Sequence, residues 1–287
     1  MGVKRILLER IFGIGLLAII LSIGFYFFPT KTNTIFQTIH IPTLTPIPGP
    51  QFSSYHLPTI AKKDYYTIAM VGDSMTAALG VHGGKLSEQL NAMFQSTSGH
   101  QRILIDNYAQ GATNILQMND QMTKKITTGD VTLDPLLSRH VDMILIESYG
   151  YNPLSQFPRA EGLQKQTDAL QKIMTTLTNH YPNTAIIFVA TIAPNKETYA
   201  LEEKTGALSD RIAEAEERST FIQNHMNFAK THNIPLIDIY DASLTPDGDG
   251  NILYISQTDH IHPSFAGIDF INNEIAHFIY DSHILPE

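Results

Sequence analysis

The sequence predicts an α/β protein: a three-layer α/β/α sandwich on a five-stranded parallel sheet, preceded by an N-terminal transmembrane helix. Two observations predict the sandwich. From about Tyr65 onward, short β-type runs alternate with longer helical patterns, the signature of βα units. The β-type runs are each apolar enough to be buried on both faces, so both faces of each strand are expected to be covered. A third observation, an apolar run of about eighteen residues from Ile11 to Phe28 broken only by Ser22, predicts a helix in the bilayer.

Taken in chain order, residues 1–10 carry Lys4, Arg5 and Arg10, and the excess of positive charge places this end in the cytoplasm. Residues 11–29 form the expected membrane anchor. The stretch Phe25 to Lys31 offers no small-residue cleavage site, so the anchor is expected to stay uncleaved. Residues 30–60 include Pro42, Pro46, Pro48, Pro50 and Pro58 among Thr and Ser, a composition that favours an extended spacer outside the cytoplasm. The catalytic domain is expected over 61–287. Its strands are read at Tyr66–Val71, Ile103–Asn107, Val141–Glu147, Ala185–Ala190 and Pro235–Ile239. Its clearest helices are Gly162–Asn179, Ala207–Thr231 and Phe265–Tyr280, where apolar residues such as Ile268, Ile271 and Ile275 recur at three-to-four spacing.

Composition narrows the possible partners. The 287 residues are 43% hydrophobic and 16% charged with a net charge of -9, which leaves no basic footprint for nucleic acid. The absence of cysteine removes disulfides, thiolate nucleophiles and cysteine-ligated zinc from consideration. The remaining partners are the membrane, through the N-terminal helix, and a small or polymeric substrate.

In an open parallel sheet, ligands collect at the carboxyl ends of the strands. After the first strand stands Gly72-Asp73-Ser74-Met75, where glycine permits a tight turn and the serine can begin a helix. It is not the G-x-S-x-G elbow, because Thr76 occupies the place of the second glycine. Near the C-terminus, Asp259-His260-Ile261-His262-Pro263 precedes the last helix. A serine hydroxyl needs an imidazole to take its proton and a carboxylate to orient that imidazole. His262 pairs with Asp259 across a D-x-x-H turn, whereas His260, adjacent to the acid, is expected to diverge as a surface or substrate-side residue; two histidines and one acid also resemble a partial metal site. Donors for an oxyanion are offered after the second strand by Gly111, and after the third by Asn152.

In these blocks the chain resembles the SGNH, or GDSL, hydrolases. Ser74 sits in a Gly-Asp-Ser block, Gly111 follows the second strand, Asn152 closes a G-x-N block, and Asp259 with His262 forms the D-x-x-H block, all in the family's order over about residues 66–280. The resemblance implies a flavodoxin-like sandwich and a serine esterase acting on an ester substrate with no metal or other cofactor. It further implies an oxyanion hole from the backbone N–H groups of Ser74 and Gly111 and the Asn152 side chain, with Asp73 in support. Met75 replaces the usual leucine, a volume-conserving exchange. Pro153 replaces the usual aspartate and takes away the neighbouring carboxylate that would fix Asn152. Glu147, at the end of the third strand, could take part in that support, but is expected to face solvent.

Asp247-Gly248-Asp249-Gly250-Asn251 has the alternating oxygen ligands of a calcium loop, but Ile252 and Thr258 stand where the sixth-position glycine and twelfth-position glutamate belong, so a plain turn is expected. The outward-facing position implied by the anchor suggests acyl groups, O-acetyl above all, on envelope or extracellular glycans or lipids. The same residues would serve an O-acyltransferase, and a non-catalytic envelope-binding module would keep the fold without turnover. Specificity is expected from loops Gly150–Ala160 and Pro194–Gly206.

Overall fold

The computed structural model describes residues 52–98, 102–202 and 206–286; the expected transmembrane helix at 11–29 and most of the spacer lie outside them. Among the described residues no helix is long and apolar enough to cross a membrane. Strand β1 (Tyr65–Val71) leads through the single turn of α1 (Ser74–Ala77) into α2 (Gly84–Ser98) and β2 (Arg102–Asn107). Helix α3 (Met118–Thr123) and a small hairpin, β3 (Ile126–Thr128) with β4 (Val131–Leu133), precede β5 (Met143–Glu147). Then follow α4 (Arg159–His180), β6 (Ala185–Ala190), α5 (Leu208–Thr231), β7 (Leu236–Asp238), α6 (Ile239–Ala242) and α7 (Phe265–Asp281).

Five of these strands form one sheet in the order β2-β1-β5-β6-β7, every neighbouring pair parallel. Counted within the sheet, that is the 2-1-3-4-5 order of flavodoxin-like folds. The chain winds one way from β1 to β2 and the other way from β5 onward. A crevice therefore opens at the carboxyl ends of β1 and β5, where ligands bind in such sheets.

Side-chain alternation explains the layers. Tyr66, Ile68 and Met70 of β1 pack with Leu86, Leu90 and Phe94 of α2 and with Ile271, Ile275 and Ile279 of α7. Ala69 and Val71, pointing the opposite way, pack with Leu170, Met174 and Leu177 of α4 and with Met118 and Met122 of α3. Helix α5 feeds both sides, Ile222 and Met226 to the first and Phe221 and Phe228 to the second. The expected strand Ala185–Ala190 is observed with the same limits, and the other four differ by one or two residues. The third starts late because Asp142 turns its carboxylate onto the Thr67 N–H at 3.0 Å. The last ends early because Asp238 caps α6 through the Asp241 N–H at 3.0 Å.

Residues 52–60, read from composition as spacer, lie against the domain. Tyr55 is buried, its hydroxyl accepts from the Ile186 N–H at 2.7 Å, and Ile60 is buried in the core. The Asp247–Asn251 segment is a turn: Gly248 has φ +82°, and Leu244 and Gly250 bridge antiparallel. The Asp249 carboxylate accepts from Asn195 Nδ2 and the Lys196 N–H, both at 3.0 Å, and so pins the start of the loop after β6.

Candidate active site

The nucleophile turn is dictated by crowding. A Cβ on Gly72 would lie 2.7 Å from Thr76 Oγ1 and 2.8 Å from Glu147 Cβ, so only glycine lets β1 pass directly into α1. Asp73 is the N-cap, its Oδ1 accepting the Met75 N–H at 2.9 Å, and Ser74 is the first helical residue, half-buried. Asn107 at the end of β2 ties this turn down: its Nδ2 donates to Thr76 O at 2.8 Å and Gly80 O at 3.1 Å.

Gly111 comes up against the nucleophile, since a Cβ built on it would meet Ser74 Cβ at 3.8 Å. Asn152 is positioned from the other side. Its Nδ2 donates to Asp73 Oδ2 at 2.9 Å, which uses one amide hydrogen and leaves the second free. The carboxylate that Pro153 fails to supply is therefore supplied by Asp73, the residue before the nucleophile. Ala112, Tyr149 and His260 all have left-handed backbones, with φ of 56°, 53° and 56°. Each lies within three residues of a candidate site residue, and non-glycine residues hold such φ values only where their surroundings enforce them.

Glu147 does not face solvent as the sequence suggests. It is 2% exposed, its Oε2 accepts the Asp73 N–H at 3.3 Å, and the Ser148 hydroxyl donates to its Oε1. The reason is register: Glu147 continues the row of Met143 and Leu145 on the face covered by α7. Burial, and then the Asp73 charge, push its carboxyl well above the usual carboxylate range. Burial raises Asp73 as well, opposed by hydrogen bonds from Met75, Asn152 and Glu147 and by the charge of His262. Of the two, Glu147 is the one pushed furthest from the ionised form, by burial and by the Asp73 charge. Gln121, absent from the sequence-level set, is also fully buried: its Nε2 donates to Gly72 O at 2.9 Å and its Oε1 accepts from the Tyr149 hydroxyl.

The acid–base pair stands on the loop before α7. His262 Nδ1 lies 2.8 Å from Asp259 Oδ2, while Asp259 Oδ1 accepts the N–H groups of Ile261 at 2.9 Å and His262 at 3.0 Å. Burial works to raise Asp259, but these hydrogen bonds and the His262 charge outweigh it and hold the carboxyl below its ordinary value. A carboxylate on Nδ1 leaves Nε2 as the ring's free acceptor. His260, expected at the surface, is instead 9% exposed: its left-handed backbone turns it inward, and its carbonyl accepts the Ala200 N–H at 3.3 Å. Among the described residues no three His, Asp or Glu side chains gather as a metal site requires. His225 is a core imidazole stacked on Phe188 at 4.2 Å, lowered by burial to about 3.

The structure thus gathers Ser74 with Gly111, Asp73 with Asn152, and Asp259 with His262. The His262 charge acts on Asp73, the residue before Ser74, although no hydrogen bond joins Ser74 Oγ to His262. A groove of about 350 Å³ between α3 and α4, lined by Ile115, Leu116, Met122, Phe157 and Ile173, adjoins the loops that carry Gly111 and Asn152.

A flavodoxin-like sheet with a serine turn after its first strand and a His–Asp pair on the loop before the last helix is an arrangement found in α/β hydrolases. The chain belongs to the GDSL-like lipase/acylhydrolase family, whose pattern it matches over residues 70–269. No curated protein matches the sequence. Among solved structures, one described as a GDSL-like lipase from Parabacteroides merdae is 16% identical with a TM-score of 0.55, covering 79% of this chain and 100% of its own. An acylhydrolase from Bacteroides fragilis is 14% identical (TM-score 0.51, 80% and 92% covered). A lipase/acylhydrolase from Enterococcus faecalis is 17% identical (TM-score 0.50, 76% and 96% covered). At these identities the likeness is one of fold.

Proposed function

We propose that the protein is a serine esterase that cleaves O-acetyl or other short acyl esters on envelope or extracellular glycans or lipids, tethered outside the cytoplasm by the helix at 11–29. Family membership supports ester hydrolysis. The apolar run Ile11 to Phe28, with its preceding positive charges, supports the tether. In the reaction, His262 Nε2 takes the Ser74 proton as Ser74 Oγ attacks the ester carbonyl carbon. Asp259, on Nδ1, holds the ring's orientation and stabilises the imidazolium. The oxyanion forms against the Ser74 and Gly111 N–H groups and the free hydrogen of Asn152 Nδ2. The alcohol leaves with the proton from His262, and water activated by the same imidazole then releases the acid and frees Ser74.

The observation that carries this reading is the approach of Gly111 to Ser74: a Cβ built on Gly111 would meet Ser74 Cβ at 3.8 Å, so the glycine backbone borders the serine side chain. The test is hydrolysis of p-nitrophenyl acetate by wild type and Ser74→Ala, each with and without EDTA. Expected is a fall in kcat of at least about 10³-fold in the variant and none from EDTA. Turnover that survives in Ser74→Ala, or that EDTA removes, would sink the serine mechanism. Adding a sugar acceptor separates hydrolysis from acyl transfer, because only a transferase diverts the acyl group to the sugar.

A further inference from the structure

We infer that Glu147 is a positioning residue for the oxyanion side of the site: it holds the backbone of Asp73, and through the Asp73 carboxylate it fixes the Asn152 amide. The inference rests on the serine-esterase reading, since it concerns how that site's donor is held. Three links make the chain. Glu147 Oε2 accepts the Asp73 N–H at 3.3 Å. Asp73 Oδ1 accepts the Met75 N–H and its Oδ2 accepts Asn152 Nδ2, both at 2.9 Å. Ser148 holds the far oxygen of Glu147, so the carboxyl cannot rotate away without breaking that contact. Gly72 records the same demand in the sequence, because the room its missing side chain leaves is taken by Glu147 Cβ and the Thr76 side chain.

The surroundings disfavour the ionised form of Glu147, through burial and the Asp73 charge. Its carboxyl borders a void of about 10 Å³, near the size of a single water, lined by Met70, Leu145, Ile271 and Ile275, with Thr76 and Thr191 adding hydroxyls. The titratable groups facing it are Asp73 from the α1 turn and Tyr149 and Tyr151 from beyond β5; His262, on the loop before α7, acts on Asp73. A protonated Glu147 accepts the Asp73 N–H and adds no second negative charge behind the oxyanion donor. An ionised one would place two there and oppose the charge that develops on the ester oxygen.

The test is a double-mutant cycle in the full-length enzyme with p-nitrophenyl acetate: wild type, Glu147→Ala, Asn152→Ala and the double variant, with Ser74→Ala as the blank and Tm measured for each. If Glu147 acts through Asn152, Glu147→Ala lowers kcat about tenfold with KM within about twofold, but costs less than about threefold once Asn152 is already alanine. Glu147→Gln, neutral and of the same shape, recovers most of the lost kcat. Losses that multiply in the cycle, a change in KM alone, or equal damage from Gln and Ala would overturn the inference while leaving the esterase reading intact. Turnover in Ser74→Ala would remove both. Should Glu147→Ala not fold, Glu147→Asp, one methylene short of holding Asp73, carries the same cycle with the same outcomes.

Discussion

On one side of Ser74, Asp73 and Glu147 are sealed beneath the α1 turn, at 0% and 2% exposure, and reach Asn152 through an unbroken set of hydrogen bonds. On the other, the side chains of Asp259 and His262 are 23% and 40% exposed and belong to a loop that is braced mainly against itself. Ser256 donates its N–H to His262 O at 2.8 Å, His260 donates to Ser256 O at 2.9 Å, and Ile255 bridges Pro263. The oxyanion side is thus an extension of the sheet core, and the acid–base side is a surface loop. Such a division suits the chemistry. Donors that meet a developing charge work best when they need no reorganisation, whereas a base must swing between the nucleophile and the leaving group.

The exposed side breaks activity most when it is cut. His262→Ala is expected to lower kcat for p-nitrophenyl acetate at least about 10³-fold with little change in Tm, since a part-exposed side chain carries little packing. In wild type, measured over about pH 5 to 8, kcat/KM rises with pH, because a protonated ring cannot accept the Ser74 proton. The residual rate of His262→Ala shows no such rise. A wild-type profile that is flat over this window, measured where acylation limits the rate, would remove His262 from the role of base.

The buried side should give a smaller catalytic loss with a larger structural one. Asn152→Ala removes one oxyanion donor and is expected to lower kcat about 10²-fold. It also strips a donor from the fully buried Asp73, so Tm falls more than for His262→Ala. If Asn152→Ala left kcat intact and moved only Tm, the amide would be a buttress for Asp73 and the oxyanion would rest on Ser74 and Gly111 alone.

The sequence makes the sheet side easy to read up to the point where side chains must choose a direction. Mostly apolar runs locate β1, β2, β5, β6 and β7, most sharply at β6, whose six residues are all apolar and all buried. Helix α2, with Leu86, Leu90 and Phe94 inward among polar neighbours, carries a thinner signal, and the hairpin β3–β4, three residues a strand, is too short to carry one. At the site, Ser74, Gly111, Asn152 and the Asp259–His262 pair are legible because each closes a strand or opens a helix. Glu147 and Gln121 are not, because a carboxylate and an amide look solvent-bound until the register turns them inward. Counting alternate residues from Met143 through Leu145 would have put Glu147 on a covered face, and Gly72 is the trace of its bulk. His260 is misread for a different reason: its positive φ reverses the direction that an extended backbone would give it.

The smallest effect concerns stability and isolates the buried side from catalysis. The Glu147 carboxyl has its ordinary value of 4.5 in the unfolded chain and is pushed well above it in the folded one by burial and the Asp73 charge, so folding takes up a proton at any pH between the two. For a group raised on folding, the stabilisation is fully present below the unfolded value and is lost as pH climbs through the folded one. Wild type therefore loses stability to this group as pH rises from about 4.5. Glu147→Gln, which has no proton to take up, does not. The Tm of Glu147→Gln relative to wild type should rise with pH by about 3–6 °C per pH unit until the folded carboxyl itself ionises, in line with roughly 1.4 kcal/mol per unit. The measurement is thermal unfolding of the two full-length proteins at intervals from pH 4.5 to 8.5. A Tm difference that stays constant over that range would mean that Glu147 is ionised beside Asp73 and that the buried side of the site holds two charges, not one.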